Sequence, residues 1–125
     1  MIYKVATSAD EAGLMDFESF QQYTGETITY PTDTEEASIN YCVLGLTGEA
    51  GEISEKWKKV IRDNEGILTP EIREAMALEV GDVLWYAARL AAHLGYSLKD
   101  IAHRNVQKLE SRKQRNVLRG SGDNR

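Results

Sequence analysis

Between residues 35 and 94 apolar side chains recur at helical spacing in two long runs, and only the stretch "DNEGILTP" separates them. "DNEG" is a turn signal, and "TPE" at 69–71 supplies an N-cap threonine with proline at the first helical position. Two helices joined by so short a connection must run antiparallel. At roughly 100° per residue, Ile39, Val43, Leu46, Ala50, Ile53, Trp57, Val60 and Ile61 fall on one stripe of the first run. In the second run Met76, Val80, Val83, Ala87 and Leu94 repeat as a bundle seam.

The flanking sequence adds helices and no strands. Phe17, Phe20 and Tyr23 predict a short helix near 16–24 ending at Gly25, and a linker containing Pro31 follows. Thr32, Asp33 or Thr34 then caps the first long helix, which runs to about Asp63 with Glu35 and Glu36 in its first turn. The second long helix runs to about Leu94 and stops at Gly95. Ser97 with Asp100 resembles a capping box for a last helix from 98 to about 115. No run of alternation supports a sheet, so the expected fold is all-α, a four-helix-bundle-type domain over 15–115. Residues 1–14 read as a loosely ordered lead-in, and 116–125 as a polar, mobile tail.

With 125 residues there is room for one core. A net charge of -5 excludes a broad basic surface for duplex nucleic acid, but not a phosphate ligand held through metal ions. The single cysteine, Cys42, has no internal partner. No leader segment is visible, and no apolar run approaches the roughly 18 residues of a membrane span. A soluble cytoplasmic protein is the expectation.

The acidic residues carry the chemistry. Glu49 and Glu52 share one flank of the first stripe, while Glu55 is rotated away from the core. Glu79 and Asp82 lie on the flank of the second seam with the same rotational sense, and antiparallel packing puts such flanks on the same side. Glu52 and Glu79 stand 14 and 13 residues from residue 66, and Glu49 and Asp82 stand 17 and 16. The two pairs therefore meet at one level. Four converging carboxylates repel and raise one another's pKa values unless a cation sits among them. An all-oxygen donor set, with no cysteine or histidine in either motif, selects a hard divalent ion, Mg²⁺ first with Mn²⁺ as substitute.

The second long helix is apolar on another side as well, through Leu78, Gly81, Trp85, Ala88 and Ala92. A helix apolar on two sides is buried on two sides. The Trp85 face is therefore expected to pack against another subunit, in a homodimer or homotetramer, with a base-stacking role for Trp85 as the alternative. Glu79, Asp82, Tyr86, Arg89 and His93 form its polar stripe. Lys56 and Lys59 follow on the flank of Glu49 and Glu52, and Asn105, Lys108 and Arg112 share one face of the last helix, where each can meet phosphate. His93 and His103 lie outside both acidic motifs and supply no ExxH pair of the di-iron type. Both are read as structural or surface residues.

With those residues in place, the chain resembles the MazG-like nucleoside triphosphate pyrophosphohydrolases of the all-α NTP pyrophosphatase superfamily. The resemblance rests on "GLTGEAGEISEK" (45–56), "EVGDVLWYAARLA" (79–91), "LGYSLKDIAHRNVQKLESR" (94–112) and the closing "GSGDNR". ExxE, 26 residues, ExxD and then an N-x-x-K-x-x-x-R helix make it specific. It implies an Mg²⁺-dependent enzyme that cleaves between the α- and β-phosphates, releases nucleoside monophosphate and pyrophosphate, and assembles with sites near subunit interfaces. It implies metal-holding and catalytic roles for Glu49, Glu52, Glu79 and Asp82. Phosphate contacts fall to Lys56, Lys59, Asn105, Lys108 and Arg112, and base contacts to Trp57 and Tyr86. A deoxynucleotide such as dCTP or dGTP is the implied substrate, with a dUTPase-like activity as the neighbouring option. A non-catalytic helical interaction module is the reading from another class.

Overall fold

The computed structural model describes residues 15–125, and the lead-in expected over 1–14 lies outside them. Among the described residues the architecture is all-helical: α1 (Phe17–Thr24), a 3₁₀ turn (Gly25–Thr27), α2 (Glu35–Asp63), α3 (Pro70–His93) and α4 (Leu98–Gln114). The caps explain the boundaries. Asp16 and Ser19 cap each other reciprocally at the start of α1. Of the three candidates before α2 it is Thr34 that accepts from Ala37 N, at 3.0 Å. Thr69 and Ser97 accept from Ile72 N and Asp100 N in the same way, with Pro70 opening α3. α3 stops in a Schellman motif: Tyr96 N donates to Ala91 O and Gly95 N to Ala92 O, around Gly95 at φ +86°. Gly25 follows the last residue of α1, as expected. Its φ is -64°, so α1 runs on into the 3₁₀ turn without a left-handed cap.

α2 and α3 form the antiparallel hairpin that the short turn demands, and this pair dominates the packing. α1 packs on α3, and α4 touches α1 and α3. Because α4 leans on α1 and α3, much of the apolar stripe of α2 stays open. Cys42 and Val60 are buried, but Val43, Trp57 and Ile61 are 45%, 39% and 57% exposed. Trp57 thus lies on the open part of its apolar stripe. On α3 the expected seam is likewise incomplete, with Val80 and Leu94 exposed, while Ala88 and Ala91 are buried.

What buries that end of α3 is α1, and it does so with polar side chains. Gln21 donates from Nε2 to Ala88 O and Tyr96 O, each at 3.1 Å, and its Oε1 accepts from Leu98 N at 2.9 Å. One side chain thus ties α1 to α3 and satisfies the first backbone donor of α4. Beside it the buried Arg89 donates through Nε to Thr24 Oγ1 and through Nη2 to Gln21 O. Buried polar groups cost little when paired and much when orphaned. Gln21→Leu, which removes all three hydrogen bonds of that side chain, is expected to lower stability by about 2–4 kcal/mol, as read from urea unfolding monitored by circular dichroism.

Trp85 is also covered from within. Its Nε1 donates to Thr27 Oγ1 at 2.8 Å, and Tyr30 and Tyr86 meet its ring edge-on at centroid distances of 6.1 and 4.9 Å. The linker thus partly covers Trp85 itself, while Leu78 and Gly81 on the same face of α3 stay exposed. His93 plays a structural part, 2.6 Å from the Tyr30 hydroxyl. The C-terminal segment, expected to be mobile, curls around arginines. The Arg125 guanidinium donates to Val117 O, Leu118 O and Gly122 O, and Arg112 Nη2 to Asp123 O. No helix of the described residues is long and apolar enough to cross a membrane.

Candidate active site

Midway along the α2–α3 hairpin Glu49, Glu79 and Asp82 come together, each offering a carboxylate oxygen within 4.8 Å of the others. Glu79 and Asp82 are one turn apart on α3, and the antiparallel register of α2 sets Glu49 opposite them. Glu49 and Glu79 are partly buried and Asp82 is exposed. Burial, followed by the charges of Asp82, Glu79 and Glu52, raises the Glu49 carboxyl above its ordinary range. Burial and the Glu79 charge raise Asp82 in the same direction. Opposing this repulsion, Lys56 Nζ reaches across from α2 to within 3.3 Å of Glu79 Oε1.

Raised carboxyl pKa values carry a definite sign. The folded state gains from protonation, so the contribution is present below the unfolded carboxylate range and is lost as pH rises through the raised folded values. Glu49→Gln, which removes one of the repelling charges, is therefore expected to raise the thermal midpoint of the metal-free protein at about pH 8 and to change it little at about pH 4. A differential-scanning measurement at the two pH values checks this.

The other residues singled out in the sequence are distributed as follows. Glu52 is exposed and adds its charge to Glu49 without joining the trio. Glu55 faces solvent and pairs with Lys58 at 3.0 Å, as its rotation away from the core requires. Lys59 lines, with Lys56, Val60, Asp63, Asn64 and Ile72, a shallow cleft of about 300 Å³ on the turn side of the trio. Tyr86 lies one turn beyond Asp82, packed on Gly45. A Cβ built at Gly45 would fall inside the Tyr86 ring. The space left by that glycine is thus taken by a tyrosine. Burial, then Tyr41, then the Glu49 charge push the Tyr86 phenol up. Asn105 and Lys108 line a different groove with Leu98, Ile101, Ala102 and Arg104. Arg112 is only 5% exposed and is engaged by the tail.

Sequence reasoning missed the Lys56–Glu79 pair and the Gly45–Tyr86 contact. The first was open to a register count, since Lys56 lies two turns after Glu49 and so returns to its face. The second required the ring's rotamer, which spacing does not give.

Sequence comparison decides what family this site belongs to. The MazG nucleotide pyrophosphohydrolase domain matches residues 37–117, which span α2, α3 and α4. The chain belongs to the MazG nucleotide pyrophosphohydrolase domain family. A relative, the Gene 37 protein of Mycobacterium phage L5, is 45% identical over 114 residues, covering 89% of this chain and 100% of that protein. No solved structure matches the chain.

A hard divalent cation, as the MazG fold implies, fits the donor set: three carboxylates, all oxygen, with Cys42 and His93 placed elsewhere in the fold. Glu49, Glu79 and Asp82 would hold it. Three carboxylates are fewer ligands than such an ion takes, which leaves waters and substrate oxygens to complete its shell.

Proposed function

We propose that the chain hydrolyses nucleoside triphosphates at the α–β phosphoanhydride, yielding nucleoside monophosphate and pyrophosphate with Mg²⁺ as cofactor and Mn²⁺ as substitute. The observation that carries this reading is the carboxylate trio of Glu49, Glu79 and Asp82 on the hairpin of a MazG-family chain. When bound, the divalent ion supplies charge neutralisation on the phosphates and activation of water. The chain's own residues do the rest. Glu49, Glu79 and Asp82 hold the ion on two helices whose packing fixes their spacing, with Glu52 beside them as a further carboxylate. Lys56 and Lys59 present ammonium groups along the adjoining cleft, where they neutralise the polyphosphate. One water is consumed, and one P–O bond of the anhydride is broken. Trp57, half-exposed on α2, and Tyr86, next to the trio, are the groups offered to a base.

Asn105 and Lys108 stand on α4, which leaves α2 uncovered, and they contribute phosphate contacts only if a second chain brings them to the trio. Self-association goes with this. Among the described residues the buried hydrophobic core is small, while Leu44, Ile61, Leu78, Val80 and Val106 are between 55% and 73% exposed. Surfaces of this kind mark protein interfaces. Leu78→Glu is expected to shift the protein towards monomer in sedimentation velocity; an unchanged mass places the interface elsewhere. A cytoplasmic location, where triphosphates and Mg²⁺ are available, accompanies the proposal.

The test is incubation with Mg²⁺ and each of the eight common triphosphates, followed by measurement of kcat/KM. Turnover abolished by EDTA is expected, and its ranking names the base and sugar preferred, with dCTP, dGTP and dUTP the first to compare. No turnover of any triphosphate would favour the interaction module.

A further inference from the structure

The cationic side chain that touches the acidic trio belongs to the protein itself. Lys56 Nζ is 3.3 Å from Glu79 Oε1, and the two side chains are 36% and 17% exposed. Its neighbours on α2 are committed elsewhere. Lys58 pairs with Glu55, and Arg62 with Asp63 through two bonds of 2.7 Å. Lys56 lies two turns along α2 from Glu49, so its stem starts on the face that carries the trio and its ammonium ends on the carboxylate from α3. The same side chain also lines the cleft that Lys59 borders. It therefore has two places to put its charge, one on Glu79 and one facing the cleft.

We infer that Lys56 is the resident counter-ion of the trio: its ammonium stands on Glu79 in place of a divalent ion, and metal binding displaces it into the cleft, towards the phosphates of the substrate. This rests on the reading of the trio as a metal site. An ammonium and a metal ion compete for the same carboxylate oxygen, and a second positive charge at that distance opposes the metal by simple Coulomb repulsion. Lys56 thus lowers metal affinity and, once released, raises affinity for an anionic ligand. Metal and triphosphate binding are coupled through one side chain.

Mn²⁺ titration followed by electron paramagnetic resonance tests this on the full chain, with Asp82→Asn as the control for binding at the trio. Lys56→Met keeps the length of the stem and removes the charge. It is expected to bind Mn²⁺ about three- to tenfold more tightly than the wild type, the range of a partly screened charge contact. It is also expected to bind a triphosphate analogue with a methylene α–β bridge more weakly in the presence of saturating Mn²⁺. Lys56→Arg, whose planar guanidinium grips a carboxylate more firmly, is expected to bind Mn²⁺ less tightly than the wild type. Equal or weaker Mn²⁺ binding by Lys56→Met overturns the inference while leaving the metal site in place. Wild-type Mn²⁺ binding no stronger than that of Asp82→Asn overturns the metal site, and the inference with it.

Discussion

Asp82→Asn is expected to lower the rate of pyrophosphate release by a factor of about 10²–10⁴, since a lost metal ligand removes several kcal/mol of transition-state stabilisation. The fold should not suffer. Asp82 is exposed, its carboxyl is raised by partial burial and the Glu79 charge, and it makes no ion pair among those between described residues. Removing its charge relieves repulsion, so the thermal midpoint of the metal-free protein should hold or rise. Glu79→Gln should cost as much activity, but its stability effect differs. It loses the Lys56 pair, worth up to about 1 kcal/mol at such exposure, and the relief of repulsion offsets that loss. Activity and thermal midpoint measured on the two variants separate a metal-holding role from a structural one. Clear unfolding of Asp82→Asn would mean that the carboxylates serve the fold.

The second large effect is at Gly45. Alanine elsewhere in a helix interior gains roughly 0.5–1 kcal/mol over glycine. At Gly45 the added methyl meets the Tyr86 ring, which is itself held between Trp85, Tyr41 and the hairpin. Overpacking of this kind costs about 1–3 kcal/mol, and it displaces the ring of Tyr86, which lies one turn from Asp82. Gly45→Ala is therefore expected to destabilise and to reduce activity together. Gly51→Ala, where nothing lies within 4 Å of the new Cβ, is expected to stabilise. Chemical unfolding of the pair should give opposite signs. If Gly51→Ala also destabilises, a second chain lies against that side of α2.

The helices were legible because their ends carry side-chain caps. Thr34, Thr69 with Pro70, Ser97 and Gly95 act locally, and each boundary fell within about a residue of its signal. The meeting of Glu49 with Glu79 and Asp82 was legible for a related reason: a short turn and a constant rise per residue fix the register. Burial was less legible. Periodicity says which residues share a face, and not what covers that face. The stripe through Val43, Trp57 and Ile61 stays open because α4 leans on α1 and α3. Trp85 is met by Thr27 and Tyr30, two residues of a linker with no periodicity to read. Gln21, which no periodicity singles out, and Arg89, on the polar stripe of α3, are buried at the α1–α3 junction.

Product identity separates cleavage at the α–β anhydride from any other hydrolysis of a triphosphate. With Mg²⁺ and a preferred triphosphate, ³¹P nuclear magnetic resonance should show pyrophosphate and nucleoside monophosphate appearing together in equal amounts, and neither with Asp82→Asn or in EDTA. Orthophosphate with nucleoside diphosphate, or full turnover by Asp82→Asn, would contradict it.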